Sequence, residues 1–460
     1  MEDSEPASHK LRITLVSVDP RYAVPASDMA VPASIRPSGL NKLANYLVSG
    51  DDESGSDSGS DDESGSNSAK KPSSSVAFDF MVNNKFLRTT LAGFVRVHNL
   101  SSESVITVHF LPKLSKPSAD QTPPQVLPDW VSGLAVSGAF VFSSCYDGSV
   151  RAHDPASLAV VAALPCHAGA AKTLAYDPAL SLLASGGHDH VVLVTSVSAK
   201  GKLAAAARLE ADERRSVTAL AFQPGVAGGK AVLAAGDFDG CLSLFSLDPS
   251  TFESATSSSS SSSSKKRPAP PPSASGPSSS TPSLHTSPIS SLHFSASPAS
   301  SSLLFSASHD CSVRVWDTAT SNPVQQLNGS RVVSCMARSE QNDILATGHP
   351  DAHIKLWDVR QGKTAAGGVS TADSTLQVSH RAYVSGVSWD PERPHNLSSC
   401  SYDGTVKTWD VRCSLPLHTV RAQAKGDEAK GLAVCYGHGA LYAAGSDCEV
   451  KRFGVAADTN

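Results

Sequence analysis

The sequence contains few charges, no paired cysteines and no long apolar run. Charged residues make up 18% of the 460 residues and the formal net charge is −5, so any RNA contact would need a local basic patch and not the overall field. The nine cysteines are scattered singly without a C-x-x-C pair, which indicates reduced thiols and neither a disulfide framework nor a zinc site. With no apolar N-terminal signal and no apolar stretch long enough for a membrane span, we expect a soluble, intracellular protein without a membrane partner.

Motifs typical of enzymes are also missing. The chain has no G-x-x-x-x-G-K-[ST] phosphate loop, no H-E-x-x-H metal motif and no G-x-S-x-G nucleophile turn. We therefore expect no catalytic residues, no cofactor and no metal ion of the protein's own.

Two segments of low complexity interrupt the sequence. Residues 49–75 are dominated by Ser, Gly, Asp and Glu, and residues 251–283 by Ser and Pro around one basic cluster, Lys265, Lys266 and Arg267. Neither segment can bury enough apolar area to offset the entropy of ordering. Both are predicted to be disordered inserts within folded units.

A repeat runs through the C-terminal three quarters of the chain. Seven aspartates are each followed three residues later by Val, Leu or Ile, and the sixth position holds Trp in three repeats and Phe, His or Thr in the others. The aspartates are Asp147, Asp189, Asp239, Asp310, Asp351, Asp403 and Asp447. Their spacing is close to 40–50 residues except across the Ser/Pro insert, whose removal restores it. That period is typical of four short strands per repeat, as in a WD-repeat β-propeller.

The repeated aspartates are interpreted as structural. Each follows a small or apolar strand-like stretch and often precedes Gly, as in Asp147-Gly148, so it is expected in a tight turn. A histidine precedes the turn Asp by 22 to 25 residues in three repeats, namely His167, His285 and His380. One residue type in every repeat fits a turn, whereas an active site occurs once. In the WD-repeat family, which this pattern resembles, such a His pairs with the Asp in a buried network.

The N-terminal residues follow another pattern. Strands are predicted at 11–18, around 29–35, at 76–82, at 86–95 and at 104–110. A helix is predicted after Ser38 as N-cap, because Leu40, Leu43, Ala44 and Leu47 share one face. This order is that of a ubiquitin-like β-grasp domain.

The predicted fold class is therefore mainly β, with two domains. A ubiquitin-like domain of α+β type spans 9–111, with its insert at 49–75. A linker follows at 112–126, and a seven-bladed propeller spans 127–455, with its insert at 251–283.

Particular segments narrow the resemblance. The stretches at 31–48, 78–91, 100–110 and 129–154 resemble the WD-repeat ribosome-biogenesis proteins of the PeBoW complex, which partner pescadillo and the block-of-proliferation protein. The resemblance implies a scaffold for the large (60S) ribosomal subunit and maturation of its rRNAs, located in the nucleus, nucleolus and nucleoplasm. It further implies that the propeller docks on the block-of-proliferation protein.

The resemblance also implies a role for one carboxylate. In that family the ubiquitin-like domain donates an acidic side chain to the metal of the adhesion site of midasin, an AAA ATPase that removes assembly factors from pre-60S particles. The position falls on Glu103 in a polar turn, where a protruding carboxylate oxygen suits a hard cation. Without the resemblance, a lone Glu in a Ser-rich turn is read as a solvated charge.

Other interpretations of the sequence remain open. Notchless joins a similar N-terminal domain to a propeller, with eight more regular repeats, and a WD-repeat substrate adaptor of a ubiquitin ligase belongs to a different class. The cluster Lys265, Lys266 and Arg267 predicts a nuclear localisation signal, with a solvated basic loop as the alternative.

Overall fold

The chain divides into two compact units, Met1–Ser115 and Lys116–Asn460. The computed structural model describes residues 10–25, 27–49, 76–83, 85–101, 103–114, 116–119, 125–210, 215–224, 231–247, 279–281, 285–295, 302–320, 322–339, 341, 343–359, 369–370, 374–376, 380–412, 415–422 and 429–455. The predicted disorder of the two inserts falls almost wholly outside these residues, as do Lys265, Lys266 and Arg267.

The first unit is a mixed sheet covered by two helices. Its elements are β1 (Lys10–Ser17), a 3-10 turn (Pro20–Tyr22), β2 (Asp28–Pro32), α1 (Pro37–Ser49), β3 (Phe78–Val82), β4 (Lys85–Phe86), α2 (Leu91–Val97) and β5 (Ile106–Pro112). The strand order is β2-β1-β5-β3-β4, with β1 parallel to β5 and the other pairs antiparallel. This arrangement confirms the predicted ubiquitin-like fold.

Alternating side chains of the sheet build the core of this unit. Leu11, Ile13 and Leu15 of β1 are buried, while the residues between them are more exposed. Leu40 and Ala44 of α1 are fully buried against them. The predicted apolar face of α1 is thus correct, but the helix begins at Pro37, so Ser38 lies inside it and is not the N-cap. Proline is favoured at this first helical position because its missing N–H has no helical acceptor there.

The strand predicted at 86–95 is wrong beyond its first residue. Strand β4 ends at Phe86, and α2 follows at Leu91–Val97. The buried residues Leu91, Phe94 and Val95 lie at i, i+3 and i+4, a helical spacing that the apolar run concealed. The Oγ1 of Thr90 accepts the N–H of Gly93 at 3.2 Å and caps the helix.

Seven further sheets form among the described residues of the second unit, here called blades 1 to 7 in chain order. Blade 1 contains β7 (Val131–Val136), β8 (Val141–Cys145), β9 (Ser149–His153) and β10 (Val160–Pro165); blade 2 contains β11 (Ala171–Asp177), β12 (Leu182–Gly187), β13 (Val191–Val197) and β14 (Leu203–Glu210); blade 3 contains β15 (Val217–Phe222), β16 (Ala231–Asp237), β17 (Leu242–Leu247) and β18 (Ser279–Thr281).

Blades 4 to 7 repeat this plan, with one added strand in blade 4. Blade 4 contains β19 (Ile289–Phe294), β20 (Leu303–Ser308), β21 (Ser312–Asp317), β22 (Asn322–Asn328) and β26 (Val369–Ser370); blade 5 contains β23 (Cys335–Arg338), β24 (Ile344–Gly348), β25 (Ile354–Asp358) and β27 (Ser374–Leu376); blade 6 contains β28 (Val384–Trp389), β29 (Asn396–Ser401), β30 (Thr405–Asp410) and β31 (His418–Arg421); blade 7 contains β32 (Gly431–Gly437), β33 (Ala440–Gly445), β34 (Val450–Gly454) and β6 (Ser118–Ala119).

The blades close into a ring through their first strands. Each first strand contacts that of the next blade, from β7 through β11, β15, β19, β23, β28 and β32 back to β7. Apolar clusters fill the spaces between successive blades, so each sheet is buried on both faces. Within the described residues, no helix is long and apolar enough to cross a membrane.

The last blade takes its outer strand from the start of the unit. Ser118 pairs with Gly454 and Ala119 with Phe453, and Val126 bridges to Glu449. The linker expected at 112–126 is therefore partly strand. The physical reason is that β34 would otherwise present an open edge, and a ring can cover it only with a segment from the other end of the unit.

We predict that Thr90→Ala lowers the local unfolding free energy of α2 by about 1 kcal/mol, because the Gly93 N–H loses its cap. Hydrogen exchange of the α2 amides measures this. The matched control is Thr89→Ala, which removes a neighbouring hydroxyl without a capping role; an equal loss in both variants would contradict the assignment of the cap.

Candidate functional site

The loop between α2 and β5 presents Glu103 to solvent. Glu103 is exposed, and its carboxylate makes no hydrogen bond or ion pair among the described residues, while its N–H donates to the Ser101 Oγ at 3.3 Å. The predicted position in a polar turn before the last strand of this unit is therefore the observed one. The carboxylate is available to an outside partner.

The same loop is held by its own backbone. The N–H of Leu100 donates to the carbonyl of Val95 at 3.0 Å, and Asn99 adopts φ +49°, a left-handed conformation that Asn tolerates better than most residues. The Ser104 hydroxyl donates to the carbonyl of Ser101 at 3.3 Å. These bonds hold described residues on both sides of Glu103, so less entropy is lost when it binds.

Two exposed valines lie on the elements that flank this loop. Val97 at the end of α2 is 74% exposed, and Val105, just before β5, is 39% exposed. Exposed apolar side chains on the two segments that flank the loop offer area that a partner can cover.

The seven repeated aspartates occupy equivalent turns, one in each blade. The residue after each Asp has a positive φ, from +60° at Cys448 to +87° at Gly240. A Cβ at Gly148 would lie only 2.3 Å from the carbonyl oxygen of His167, and one at Gly240 only 2.5 Å from that of His285. Glycine is therefore required at both positions. The four non-glycine residues in this position are His190, Cys311, Ala352 and Cys448.

Most of the turn carboxylates accept backbone N–H groups of their own turn. Asp147, Asp310 and Asp403 each accept the N–H two residues later at 2.9 to 3.0 Å. In blade 3 the carboxylate that accepts this N–H belongs to Asp237, two residues before the turn Asp239, and it accepts the N–H of Cys241 at 2.7 Å. The Asp239 carboxylate instead forms an ion pair with Arg215 at 3.0 Å.

In each of three blades, a buried histidine connects the turn aspartate to a hydroxyl group in the interior of the blade. The Nδ1 of His167, His285 and His380 lies 2.8 to 3.2 Å from Asp189, Asp310 and Asp403, respectively. Each Nε2 lies 2.7 to 2.9 Å from the hydroxyl of Ser185, Ser306 or Ser399. The pairing of His with the turn Asp that the WD pattern implied is therefore present in all three blades.

In blades 4 and 6 tryptophan extends the chain of bonds. The Nε1 of Trp316 donates to Ser306 at 2.7 Å, and that of Trp409 donates to Ser399 at 2.8 Å. Since the ionised Asp can only accept, the His Nδ1–H donates to it; the Nε2 of the neutral ring then accepts the Ser O–H, and the Ser oxygen accepts the indole N–H. We call this ordered set the Trp–Ser–His–Asp chain.

The charges of the chain follow from this order. Burial lowers the pKa of His380, which favours the neutral ring. Burial by itself would raise the pKa of Asp403, but the bonds from His380, the Arg381 N–H and Thr405 outweigh it and hold the pKa of this carboxyl well below its usual range. The arrangement provides a stable turn, with the imidazole engaged on both nitrogens and unavailable for acid–base catalysis.

Blades 1 and 5 use other side chains at the same positions. His153 stands where Trp is usual, and its Nε2 lies 2.8 Å from the Ser143 hydroxyl. Burial lowers the pKa of His153 to about 4. In blade 5 the Trp357 Nε1 donates to Thr347, whose hydroxyl lies 2.9 Å from the Nε2 of His349. Sequence reasoning missed His349, because it lies two residues before its turn Asp and not 22 to 25.

No group of three His, Cys, Asp or Glu side chains among the described residues could hold a metal ion. Cys145, Cys335 and Cys400 are buried free thiols, and burial raises their pKa to about 11 or 12. Their sulfurs are therefore protonated at neutral pH, which is typical of structural cysteines.

Comparison with known families matches both units. Residues 11–95 match the NLE (NUC135) domain, and residues 276–317, 321–358 and 373–410 match the WD domain, G-beta repeat. The three matched repeats are those of blades 4, 5 and 6, which hold Trp316, Trp357 and Trp409 at the sixth position after the turn Asp. Glu103 lies beyond the matched NLE residues.

Comparison with curated proteins matches nearly the whole chain. A ribosome biogenesis protein WDR12 homolog of Chlamydomonas reinhardtii is 29% identical over 94% of each chain. A WDR12 homolog of Ixodes scapularis is 26% identical over 95% of this chain and 96% of its own. The ribosome biogenesis protein YTM1 of Eremothecium gossypii is 27% identical over 82% of this chain and 86% of its own.

The chain is a homologue of these ribosome biogenesis proteins. It carries their two units in one order, an NLE domain followed by WD repeats. The resemblance drawn from the sequence is thereby confirmed at the level of the WDR12 and YTM1 homologues.

We predict that Asp403→Asn in this WDR12/YTM1 homologue lowers the unfolding free energy by about 2 kcal/mol, because a hydrogen bond to a charged acceptor is weakened at a buried His. Asp239→Asn is the matched control: its side chain is 57% exposed, and its loss should cost about 0.5 kcal/mol or less. Urea denaturation of the full chain compares them. Equal midpoints would show that the buried network does not stabilise blade 6.

We predict that His153→Gln reduces the acid sensitivity of the fold. Burial lowers the pKa of His153 in the folded chain to about 4, whereas the pKa in the unfolded chain is about 6.5. The unfolded chain therefore takes up the proton first, so the contribution of the neutral His153 to stability is complete above about pH 6.5 and is lost as the pH falls from about 6.5 to about 4. Between about pH 7 and 4.5 the variant should lose about 2 kcal/mol less than the original chain. Denaturation at both pH values measures this; an unchanged difference would refute it.

Proposed function

We propose that this protein is a non-enzymatic assembly factor for the large (60S) ribosomal subunit and for maturation of its rRNAs. The observation that carries the proposal is the match to ribosome biogenesis proteins over 94% of both chains, which includes both units. The corresponding site of action is the nucleus, chiefly the nucleolus and nucleoplasm, within pre-60S particles.

The propeller serves in this proposal as the anchor. It docks on the block-of-proliferation protein, and through that protein joins pescadillo. A closed ring with buried faces leaves its loops and outer strands for contact, and these surfaces are held by the turn network described above. Rigid surfaces lose little entropy on binding.

The ubiquitin-like unit serves as the release handle. Glu103 supplies a carboxylate oxygen to the metal of the midasin adhesion site, and the ATPase then removes the factor from the particle. Its exposure and the lack of a partner for its carboxylate among the described residues support this. A divalent cation takes oxygen ligands readily, and the flanking Val97 and Val105 offer apolar area around a contact that one carboxylate alone would hold weakly.

The alternatives from the sequence receive less support. Notchless is expected to have eight repeats, whereas the described residues form seven sheets in a closed ring. A ubiquitin-ligase adaptor is less well supported because the relatives that match nearly the whole chain are named ribosome biogenesis proteins.

We predict that Glu103→Gln weakens binding to the midasin adhesion domain at least tenfold in Mg²⁺, because a neutral amide oxygen is a poorer ligand than a carboxylate. Binding to the block-of-proliferation protein should be unchanged. Affinity purification of both partners from cells that express either chain measures the two contacts in parallel.

The matched control is Asp28→Asn, which neutralises another carboxylate of the same unit, one that accepts a bond from Thr14 at 2.7 Å. It should keep midasin binding. Undiminished midasin binding by Glu103→Gln, or an equal loss in both variants, would overturn the role of Glu103.

A further inference from the structure

The central opening of the propeller is a cavity of about 260 Å³ lined by residues from all seven blades. One position in or just before the first strand of each blade contributes to it. These seven positions are Ser132, Lys172, Thr218, Ser290, Ser334, Ser385 and Leu432. Five of the seven are Ser or Thr, and Lys172 and Leu432 are the two exceptions.

The hydroxyls at these positions are largely used within the protein. Ser132, Thr218, Ser334 and Ser385 each donate to a backbone carbonyl of the neighbouring blade at 2.6 Å. Ser290 donates within its own blade at 3.2 Å. These bonds tie the blades together around the opening, and they leave the hydroxyl protons unavailable to a ligand.

Lys172, unlike these hydroxyl residues, forms no bond to a neighbouring blade among the described residues. Its ammonium group makes no hydrogen bond, ion pair or ring contact among the described residues, and no Asp or Glu belongs to the lining of the cavity. Three of the turn carboxylates have partners of their own: Asp189 is bonded to His167, Asp147 to Arg151 and Asp403 to His380. Partial burial without compensation lowers the pKa of Lys172, which is the cost expected of a cation that lacks its counter-ion.

Aromatic side chains line the same cavity as Lys172. Tyr146, Phe238, Tyr383 and Tyr402 line the cavity, and Phe238 and Tyr402 are 54% and 38% exposed. Tyr383 stacks on Tyr402 at 4.7 Å. Burial raises the pKa of Tyr383 to about 12, so its phenol stays protonated. Exposed aromatic rings of this kind are enriched where proteins bind other proteins.

We propose that the central opening binds an acidic peptide segment of a partner protein, with one Asp or Glu side chain inserted and paired to Lys172. The single cation of the lining matches one carboxylate, and the rings pack on the neighbouring peptide groups. Nucleic acid fits less well, because its binding depends on several phosphate contacts. The proposed site lies wholly in the propeller and does not depend on Glu103.

The experiment uses the full chain and a fluorescein-labelled octapeptide of alternating Asp and Gly, measured by fluorescence anisotropy. We expect this peptide to bind, and a peptide with Asn in place of Asp to bind at least tenfold more weakly. Lys172→Gln should weaken the Asp peptide about tenfold, the scale of one charge-assisted bond, while Lys172→Arg should retain most of the affinity.

The control variant is Lys200→Gln, which neutralises an exposed lysine of the same blade and should leave binding unchanged. Circular dichroism verifies that each variant is folded. Equal affinity for the Asp and Asn peptides, an equal effect of the Lys172 and Lys200 substitutions, or tighter binding of an octauridylate RNA than of the Asp peptide would each overturn the proposal.

Discussion

The buried imidazole that connects a turn carboxylate to a Ser hydroxyl is the contact on which the propeller most depends. It pairs groups that would each be costly to bury alone, and its direction is fixed because the carboxylate of Asp403 can only accept, so that the neutral His380 donates from Nδ1 and accepts the Ser399 O–H at Nε2. In a low-dielectric interior such a chain of bonds strengthens its members. The turn it fixes places the strand after it, and that strand carries the apolar residues that fill the space between blades. In blades 2, 4 and 6 a local polar contact thereby helps to place the sheet in the ring.

The seven blades keep this turn while they vary its chemistry. Blade 1 replaces Trp by His153, blade 5 uses Thr347 and His349, and blade 3 moves the accepting carboxylate to Asp237. Four turns place a residue other than glycine at positive φ, which costs about 1 kcal/mol each. A closed ring tolerates these exceptions because each blade is packed on two neighbours. Features that repeat are therefore structural, and a feature that occurs once, such as Glu103 or Lys172, is the better candidate for a specific contact.

The sequence predicted the parts of this fold whose residues recur at a regular spacing. The repeat of the turn Asp located all seven blades, and the alternation of Leu11, Ile13 and Leu15 located the first strand of the ubiquitin-like unit. It misread 86–95 because an apolar run does not distinguish a short helix from a strand, and Thr90 was not considered as a cap. It treated 118–119 as linker because two residues carry no period, and their pairing with β34 arises only when the ring closes. Glu103 needed the resemblance to a family, since a lone acidic residue has no signature of its own. Lys172 stands out only in the folded ring, where it occupies the position that holds Ser or Thr in five of the other blades.

Trp409, Ser399, His380 and Asp403 should behave as one bonded chain. A double-mutant cycle with His380→Gln and Trp409→Phe, repeated in the Ser399→Ala background, tests this, because the two rings are bonded through the Ser399 hydroxyl and also pack edge to face with their centroids 6.2 Å apart. We expect a coupling free energy of about 1 kcal/mol or more from urea denaturation, and its loss once the hydroxyl is removed. A coupling near zero, or one that Ser399→Ala leaves unchanged, would refute the bonded chain.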